Sequence, residues 1–281
     1  MLVEDKIAVK PFLKWVGGKS QLLTDLAPLI PHSFDNYFEP FLGGGALFFH
    51  LQPNKGTLND VNKKLITTYS VIKENIDDLI SELRVLESEY LGLSDGLRKD
   101  FYYDQRQQFN NSKDDMDTSS KLIFLNKTCF NGMYRENSKG KFNVPQGRYK
   151  NPKILNEDNL RSVSKLLKNT RLMSGSFEKA VANAGKNDFV YFDPPYQPIS
   201  KTSSFTSYSK NDFNEDDQKK LRDCFVDLTN RGCKVMLSNS NADLIRDLYS
   251  NFKIIEVNAK RSINSKAAKR GEVKELVRIN Y

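Results

Sequence analysis

The stretch Asn36-Tyr37-Phe38-Glu39-Pro40-Phe41-Leu42-Gly43-Gly44-Gly45-Ala46-Leu47-Phe48-Phe49-His50-Leu51 decides how the chain is read. Asn36 to Phe41 is aromatic-rich and suits a strand. Gly43 to Gly45 then punctuates a tight turn, because glycine takes backbone angles closed to other residues. Ala46 to Leu51 suits a helix start. Strand, glycine turn and helix form the opening unit of an α/β sheet, where ligands sit at the carboxyl ends of strands. A dinucleotide site wants Gly-x-Gly-x-x-Gly. Gly43 and Gly45 fill the first two positions, but the third is Phe48, so a nucleoside-type ligand without a pyrophosphate fits better. Taken alone, the turn is also compatible with a plain strand–turn–helix.

Working outward, Gly56 to Asn59 is a second strand candidate, and Asp60 ends it 17 residues after Gly43. An acid there accepts hydrogen bonds from ribose hydroxyls, or caps the next helix. Asn62 to Glu89 shows continuous helical spacing, from Leu65, Ile66 and Tyr69 to Leu83 and Leu86. Residues 92–120 are polar and read as mixed helix and loop. Lys121 to Cys129 reads as helical or extended, and 131–153, punctuated by Gly and Pro, as an ordered loop or hairpin. Strand signals return at Asp188 to Phe192, Lys234 to Leu237, Ile254 to Val257 and Glu275 to Ile279, with a helix over Gln218 to Arg231. The pattern is an α/β sheet interrupted by a mostly helical insert. Gly43–Gly45, Asp60 and Asp193 fall at strand ends and should converge on one crevice.

Asp193-Pro194-Pro195-Tyr196 is the strongest local signal. Two prolines fix the backbone and remove two N–H donors, leaving carbonyls free to accept from a ligand. An exocyclic amine that must take up a methyl group needs its lone pair released from ring conjugation. A carboxylate and a carbonyl, each accepting one N–H, achieve that, and Tyr196 offers a face for stacking the base. Gly17-Gly18-Lys19-Ser20 imitates a phosphate-binding loop, but the glycine that motif needs five residues before Gly18 is Leu13.

The 281 residues carry a net charge of +8 and are 38 % hydrophobic and 28 % charged, as a globular protein is. Residues 127–153 hold seven Lys or Arg against Glu136, and residues 260–274 hold six against Glu272. These runs exceed the net charge and favour a polyanionic partner. No apolar run approaches the roughly 20 residues of a membrane span, and Met1 to Lys10 lacks a signal-peptide core. Cys129, Cys224, Cys233, His32 and His50 lack metal-ligand spacing. Reduced thiols, a cytoplasmic setting and no metal are expected.

With these residues in order, the chain resembles the Dam-type, alpha-class N6-adenine DNA methyltransferases, in the subgroup that reads GATC. Phe12 to Lys19 resembles the family's N-terminal cofactor motif, and Glu39 to Gly45 its glycine-rich one. Leu58 to Asn62 resembles the acidic motif, and Asp193 to Tyr196 the catalytic one. The resemblance implies a seven-stranded Rossmann-like sheet with a reversed terminal strand. It implies S-adenosylmethionine as cofactor, bound by Trp15, Lys19, Glu39, Pro40, Phe41, Gly43, Gly45, Asp60 and Asp193, with Phe177 as a wall for its adenine. Residues 1–62 and 156–281 would form the catalytic domain, and 63–155 the target-recognition domain. In that insert, Arg135 would read a guanine bidentately, with Lys14, Asn143 and Tyr149 beside it. Met133 and Pro145 would meet a thymine methyl, and Phe130 and Asn131 would hold the gap left by a flipped base. Met133 and Phe130 stand where a well-known member has Leu and Tyr. Arg261, Lys269 and Arg270 would grip phosphates. Double-stranded DNA is the implied partner, a monomer is expected, and pairing with a restriction endonuclease stays open. The rival readings are an N4-cytosine or RNA methyltransferase, a silent DNA-binding protein and, more distantly, a nicotinamide oxidoreductase.

Overall fold

The computed structural model describes residues 8–199, 213–260 and 272–281. Seven strands build one sheet: β1 (Tyr37–Glu39), β2 (Gly56–Asp60), β3 (Thr170–Ser174), β4 (Phe189–Phe192), β5 (Lys234–Ser240), β6 (Lys253–Lys260) and β7 (Glu272–Ile279). Their order is β3-β2-β1-β4-β5-β7-β6. β3, β2, β1, β4 and β5 run parallel, and β7 is antiparallel to both neighbours. The expected mixed α/β sheet of the Rossmann-like methyltransferase type is therefore present. The reversed strand is the last in sequence, but it lies inside β6 and not at the sheet edge.

Buried central strands have apolar residues on both faces. Tyr37, Phe189, Tyr191, Met236, Val277 and Ile279 point into one core. Their neighbours Phe38, Val190, Phe192, Val235 and Leu276 point into the other. This is the period of two that a pleated strand imposes. The helices are α1 (Leu23–Leu26), α2 (Ala46–Leu51), α3 (Lys63–Glu74), α4 (Ile76–Gly92), α5 (Asp95–Asn111), α6 (Asp115–Thr128), α7 (Glu157–Leu167), α8 (Phe177–Ala180), α9 (Glu215–Asn230) and α10 (Asp243–Leu248). Buried residues of α3 to α7, such as Tyr69, Leu83, Tyr102, Phe124 and Leu160, belong to the same core as Tyr37 and Tyr191. The inserted helices thus rest on the sheet and share its apolar interior.

Two expectations change, and an open one is decided. The helix read over residues 62–89 breaks at Asn75, whose backbone (φ −132°, ψ 46°) leaves the helical region between α3 and α4. Residues 92–120 are almost wholly helical, in α5 and the start of α6. Lys121 to Thr128 completes α6 and is helical, not extended. Residues 129–149 form a loop with two isolated antiparallel bridges, Cys129 with Gln146 and Glu136 with Phe142. Asn143 N–H to Arg135 C=O (3.1 Å) and Asn137 N–H to Lys141 C=O (2.9 Å) pin it as a hairpin without a continuous ladder. No helix among the described residues is long and apolar enough to cross a membrane.

The strand order reverses between β1 and β4. From β1 the chain proceeds outward to β2 and β3, and from β4 it proceeds the other way to β5. A crevice opens at the carboxyl ends of such a pair, and Gly43–Gly45 and Asp193 emerge there.

Candidate active site

Asp193-Pro194-Pro195-Tyr196 leaves the sheet directly after β4. Its geometry is set from below by an amide chain. Gln218, fully buried on α9, donates to the Pro195 carbonyl (3.1 Å) and accepts from Asn239 Nδ2 (3.1 Å). Asn239, near the end of β5, accepts from the backbone N–H of Gln197 (3.1 Å) and of Ser240 (2.8 Å). Ser240 Oγ donates to the Gln197 carbonyl (2.6 Å). Pro195 and Gln197 are thereby engaged, while no described residue donates to the Pro194 carbonyl. The Tyr196 phenol donates to Glu275 Oε2 on β7 (2.6 Å).

Lys19 faces this loop from a short 3₁₀ turn (Lys19–Gln21). Its ammonium lies 2.7 Å from Asp193 Oδ1, donates to Gly17 C=O (2.7 Å), and sits 4.6 Å above the Tyr196 ring. The ammonium is the ion-pair partner of the buried Asp193 Oδ1, to which no other described residue donates. Burial pushes the Asp193 carboxyl up to about 6, although the Lys19 charge pulls it down. An acceptor, a neighbouring free carbonyl and an aromatic face thus meet at one point. That set suits a planar base presenting an N–H₂ group.

The glycine turn explains itself through Trp15. Gly43 (φ +47°) has left-handed backbone, and a Cβ there would lie 2.7 Å from the indole ring. The close approach foreseen for a ligand is made in this structure by Trp15, which also stacks on Tyr134 (5.2 Å, 23°). Asp60 ties the end of β2 to the turn: Oδ2 accepts from Gly43 N–H and Oδ1 from Asn62 N–H, both at 2.9 Å. The cap of α3 is Asn62, which accepts from Leu65 N–H (3.1 Å), so Asp60 does not serve as that cap. Val61 N–H is a third backbone donor to this carboxyl, and burial raises its pKa.

Glu39 is buried at the end of β1, where it accepts from the Tyr37 phenol (2.8 Å) and from Phe48 N–H in α2. Burial pushes it up to about 8, and the nearby Asp193 and Asp60 charges add to the rise. Pro40 is buried, with its carbonyl taken by Asn59 Nδ2 (2.9 Å). Phe41 stacks on Phe177 (5.5 Å, 29°), making a flat apolar wall beside β1. Gly45 (φ +66°) starts α2 in a left-handed conformation.

On the loop of residues 129–149, Arg135 Nε donates to Asn143 Oδ1 (2.7 Å). Among the described residues its two outer nitrogens have no partner, so the guanidinium fork is steadied at its base and open at its end. Lys14 and Tyr149 meet, the ammonium 5.3 Å from the ring centre. Asn126 holds Lys14 through its backbone N–H (2.9 Å) and C=O (2.8 Å), and also takes Gly132 C=O (3.0 Å). Phe130 is half exposed, and its N–H donates to Pro145 C=O (2.9 Å). Asn131 stands exposed in left-handed backbone (φ 56°). Met133 packs partly on the core. Arg261, Lys269 and Arg270 lie outside the described residues.

Glu275, Tyr134, Gln218, Asn239 and Ser240 were not foreseen from the sequence. Glu275 had one usable signal: an acid on the apolar face of a strand, in line with Val277 and Ile279. The three cysteines are free thiols. Burial pushes Cys129 and Cys224 up to about 12 and Cys233 to about 11, which leaves them poor nucleophiles.

The family profile of the D12 class N6 adenine-specific DNA methyltransferases matches residues 15–263. The Type II methyltransferase M.MjaIII of Methanocaldococcus jannaschii is 50 % identical, over 97 % of this chain and 99 % of its own. The Type II methyltransferase M1.LlaDCHI of Lactococcus lactis subsp. cremoris is 44 % identical over 100 % and 99 %. The DNA adenine methylase of Haemophilus influenzae is 33 % identical over 99 % and 96 %.

Proposed function

The chain belongs to the D12 class N6 adenine-specific DNA methyltransferase family, and from that premise we propose that it methylates N6 of an adenine turned out of duplex DNA, within GATC, with S-adenosylmethionine as methyl donor. The observation that carries this reading is the meeting of the Asp193 carboxylate, ion-paired with Lys19, and the Pro194 carbonyl, to which no described residue donates, beside the Tyr196 face.

The residues of the crevice fit the cofactor. Asp60 keeps acceptor capacity for a ribose hydroxyl, Phe41 and Phe177 form a wall for a purine, and Asp60 and Asp193 suit a positively charged ligand. S-adenosylmethionine, when bound, supplies an electrophilic methyl group on a sulfonium. The protein's own part is alignment. Tyr196 stacks on the extruded base, whose flipping costs a few kcal/mol. Asp193 and the Pro194 carbonyl accept the two N6 hydrogens, which turns the nitrogen lone pair out of the ring system. Lys19 lies over the Tyr196 ring, so a base that stacks on that face displaces the ammonium. Alignment of this kind supplies about 7–11 kcal/mol, and no covalent enzyme intermediate is needed.

Residues 63–155 are proposed as the target-recognition part and residues 1–62 with 156–281 as the catalytic part. Arg135 is the proposed guanine reader, with Lys14, Asn143 and Tyr149 beside it. Met133 and Pro145 lie towards thymine, and Phe130 and Asn131 at the gap left by the base. A monomeric, cytoplasmic enzyme acting twice on a palindromic site agrees with this reading. Pairing with a restriction endonuclease fits the Type II names of the relatives.

The test is methylation of a plasmid of known sequence with labelled S-adenosylmethionine, the modified bases being mapped at single-nucleotide resolution. N6-methyladenine confined to GATC is the expected result. N6-methyladenine in another sequence would move the error to Met133, Arg135 and their neighbours. Absence of transfer by folded protein would overturn the reading.

A further inference from the structure

We propose that Glu275 is the positioning residue for Tyr196, fixing the ring on which the target base stacks. The inference rests on the functional reading above and adds to it a residue from the far end of the chain. Tyr196 donates to Glu275 Oε2 at 2.6 Å. Glu275 lies opposite Ser240 in the antiparallel register of β7 with β5, and Ser240 Oγ holds the Gln197 carbonyl at 2.6 Å. A cross-strand pair therefore grips two consecutive residues, Tyr196 by its side chain and Gln197 by its main chain.

The need for such a grip follows from Lys19. The Tyr196 ring has the Lys19 ammonium 4.6 Å above it. That cation must leave if a base is to stack on the same face. The bond from the phenol to Glu275 then remains to stop the ring from swinging with the base. β7 is a firm anchor: Val277 and Ile279, on the same face as Glu275, are buried in the core. The position is also a costly one for an acid. Glu275 lies close enough to Asp193 to oppose its ionisation, and a polyanion is the expected substrate. A residue with only a packing task here would be apolar, as its two neighbours along the face are.

The experiment compares wild type, Glu275→Ala and Glu275→Gln in single-turnover methylation of a short duplex, alone and in a Tyr196→Phe background. Fluorescence of Trp15, the only tryptophan, reports cofactor affinity, and thermal unfolding reports folding. We expect Glu275→Ala to slow transfer about tenfold or more, since small misplacements at a reacting centre cost up to about 10²-fold. Cofactor and DNA affinity should stay within about threefold of wild type. Glu275→Gln keeps an acceptor for the phenol and should recover most of the rate. With Tyr196→Phe there is no phenol to hold, so Glu275→Ala should change the rate less than about twofold. Equal slowing in both backgrounds, or a rate loss that tracks lost stability and cofactor binding, would make Glu275 merely structural. An active wild type with an indifferent Glu275→Ala overturns this assignment alone. A wild type that transfers nothing overturns the functional reading and this assignment with it.

Discussion

Asp193 is held near neutrality by two opposed forces: burial, which disfavours its charge, and Lys19, which favours it. Burial wins, and the carboxyl is pushed up to about 6. A protonated Asp193 would offer a hydrogen where the site must accept one. We therefore expect kcat/KM to fall with pH below about 6, which a pH–rate profile of the free enzyme's groups would show. Asp193→Ala should abolish methylation at every pH while DNA binding survives in a mobility-shift titration. Loss of DNA binding in a folded variant would count against the role. Glu39 makes a separate prediction, about stability. Its folded pKa of about 8 lies above its ordinary 4.5. Between those values the folded state holds a proton that the unfolded state lacks, so stability falls as pH rises through the window. Asp193 acts in the same sense but is spent by about pH 6. Lys127, lowered to about 8 by burial, acts in the opposite sense and only above that pH. Asp60, also raised by burial, acts in the same sense, and the Glu39 share of the drop between pH 6 and 8 should be about 2–3 kcal/mol at roughly 1.4 kcal/mol per unit. Urea unfolding at the two pH values would measure it, and Glu39→Gln should flatten it.

At the scale of elements, Trp15 joins the turn between β1 and α2 to the loop of residues 129–149. Trp15 lies against Gly43 on one side and stacks on Tyr134 of that loop on the other. Gly43→Ala places a methyl 2.7 Å from the indole in a backbone region that favours glycine. We expect cofactor affinity to fall by about tenfold or more, with a shifted Trp15 emission maximum. An unchanged affinity would show that the indole has no part in the pocket. On the loop itself, Arg135→Ala should relax selection at one guanine by about 1–3 kcal/mol, measured by competition between duplexes differing at that base. Equal weakening on every sequence would make Arg135 a phosphate contact. The turn, Asp60 and Asp193 to Tyr196 were legible because glycine, proline and acid at strand ends carry local signals. β3 was not: only Thr170 is buried in this edge strand, so it lacks apolar alternation. α5 hides for a related reason, burying only Tyr102, Gln105 and Phe109 along 17 residues. α6 is buried nearly all round, Ser119, Ser120, Asn126 and Thr128 included, and so has no apolar face to recognise. Glu275 and Tyr134 act through partners distant in sequence, which spacing cannot reveal.

Across the whole molecule, the sheet collects three carboxyls at its carboxyl edge, while the inserted segment 127–153 carries seven Lys or Arg against one acid. A polyanion is drawn to the second region and finds no matching positive charge in the first. On the proposed reading, an extruded base enters the crevice with its phosphates left outside, on the basic loop. This division of charge makes binding salt-dependent and the chemistry local. Lys139 and Lys141 are exposed at the tip of the loop, flanking Gly140, far from the Arg135 fork in role if not in sequence. If they meet phosphates, each releases counterions worth about 0.9 in the slope of log K against log salt. Replacing both by Ala should therefore make that slope shallower by roughly 1–2, in titrations of one duplex from low to moderate salt. Preference for the target over a scrambled duplex should be unchanged, because phosphate contacts set register and carry no sequence information. A slope that stays the same would mean that the duplex does not cross the loop tip. A changed preference with an unchanged slope would mean that these lysines read bases, and Arg135 would then share the work of specificity.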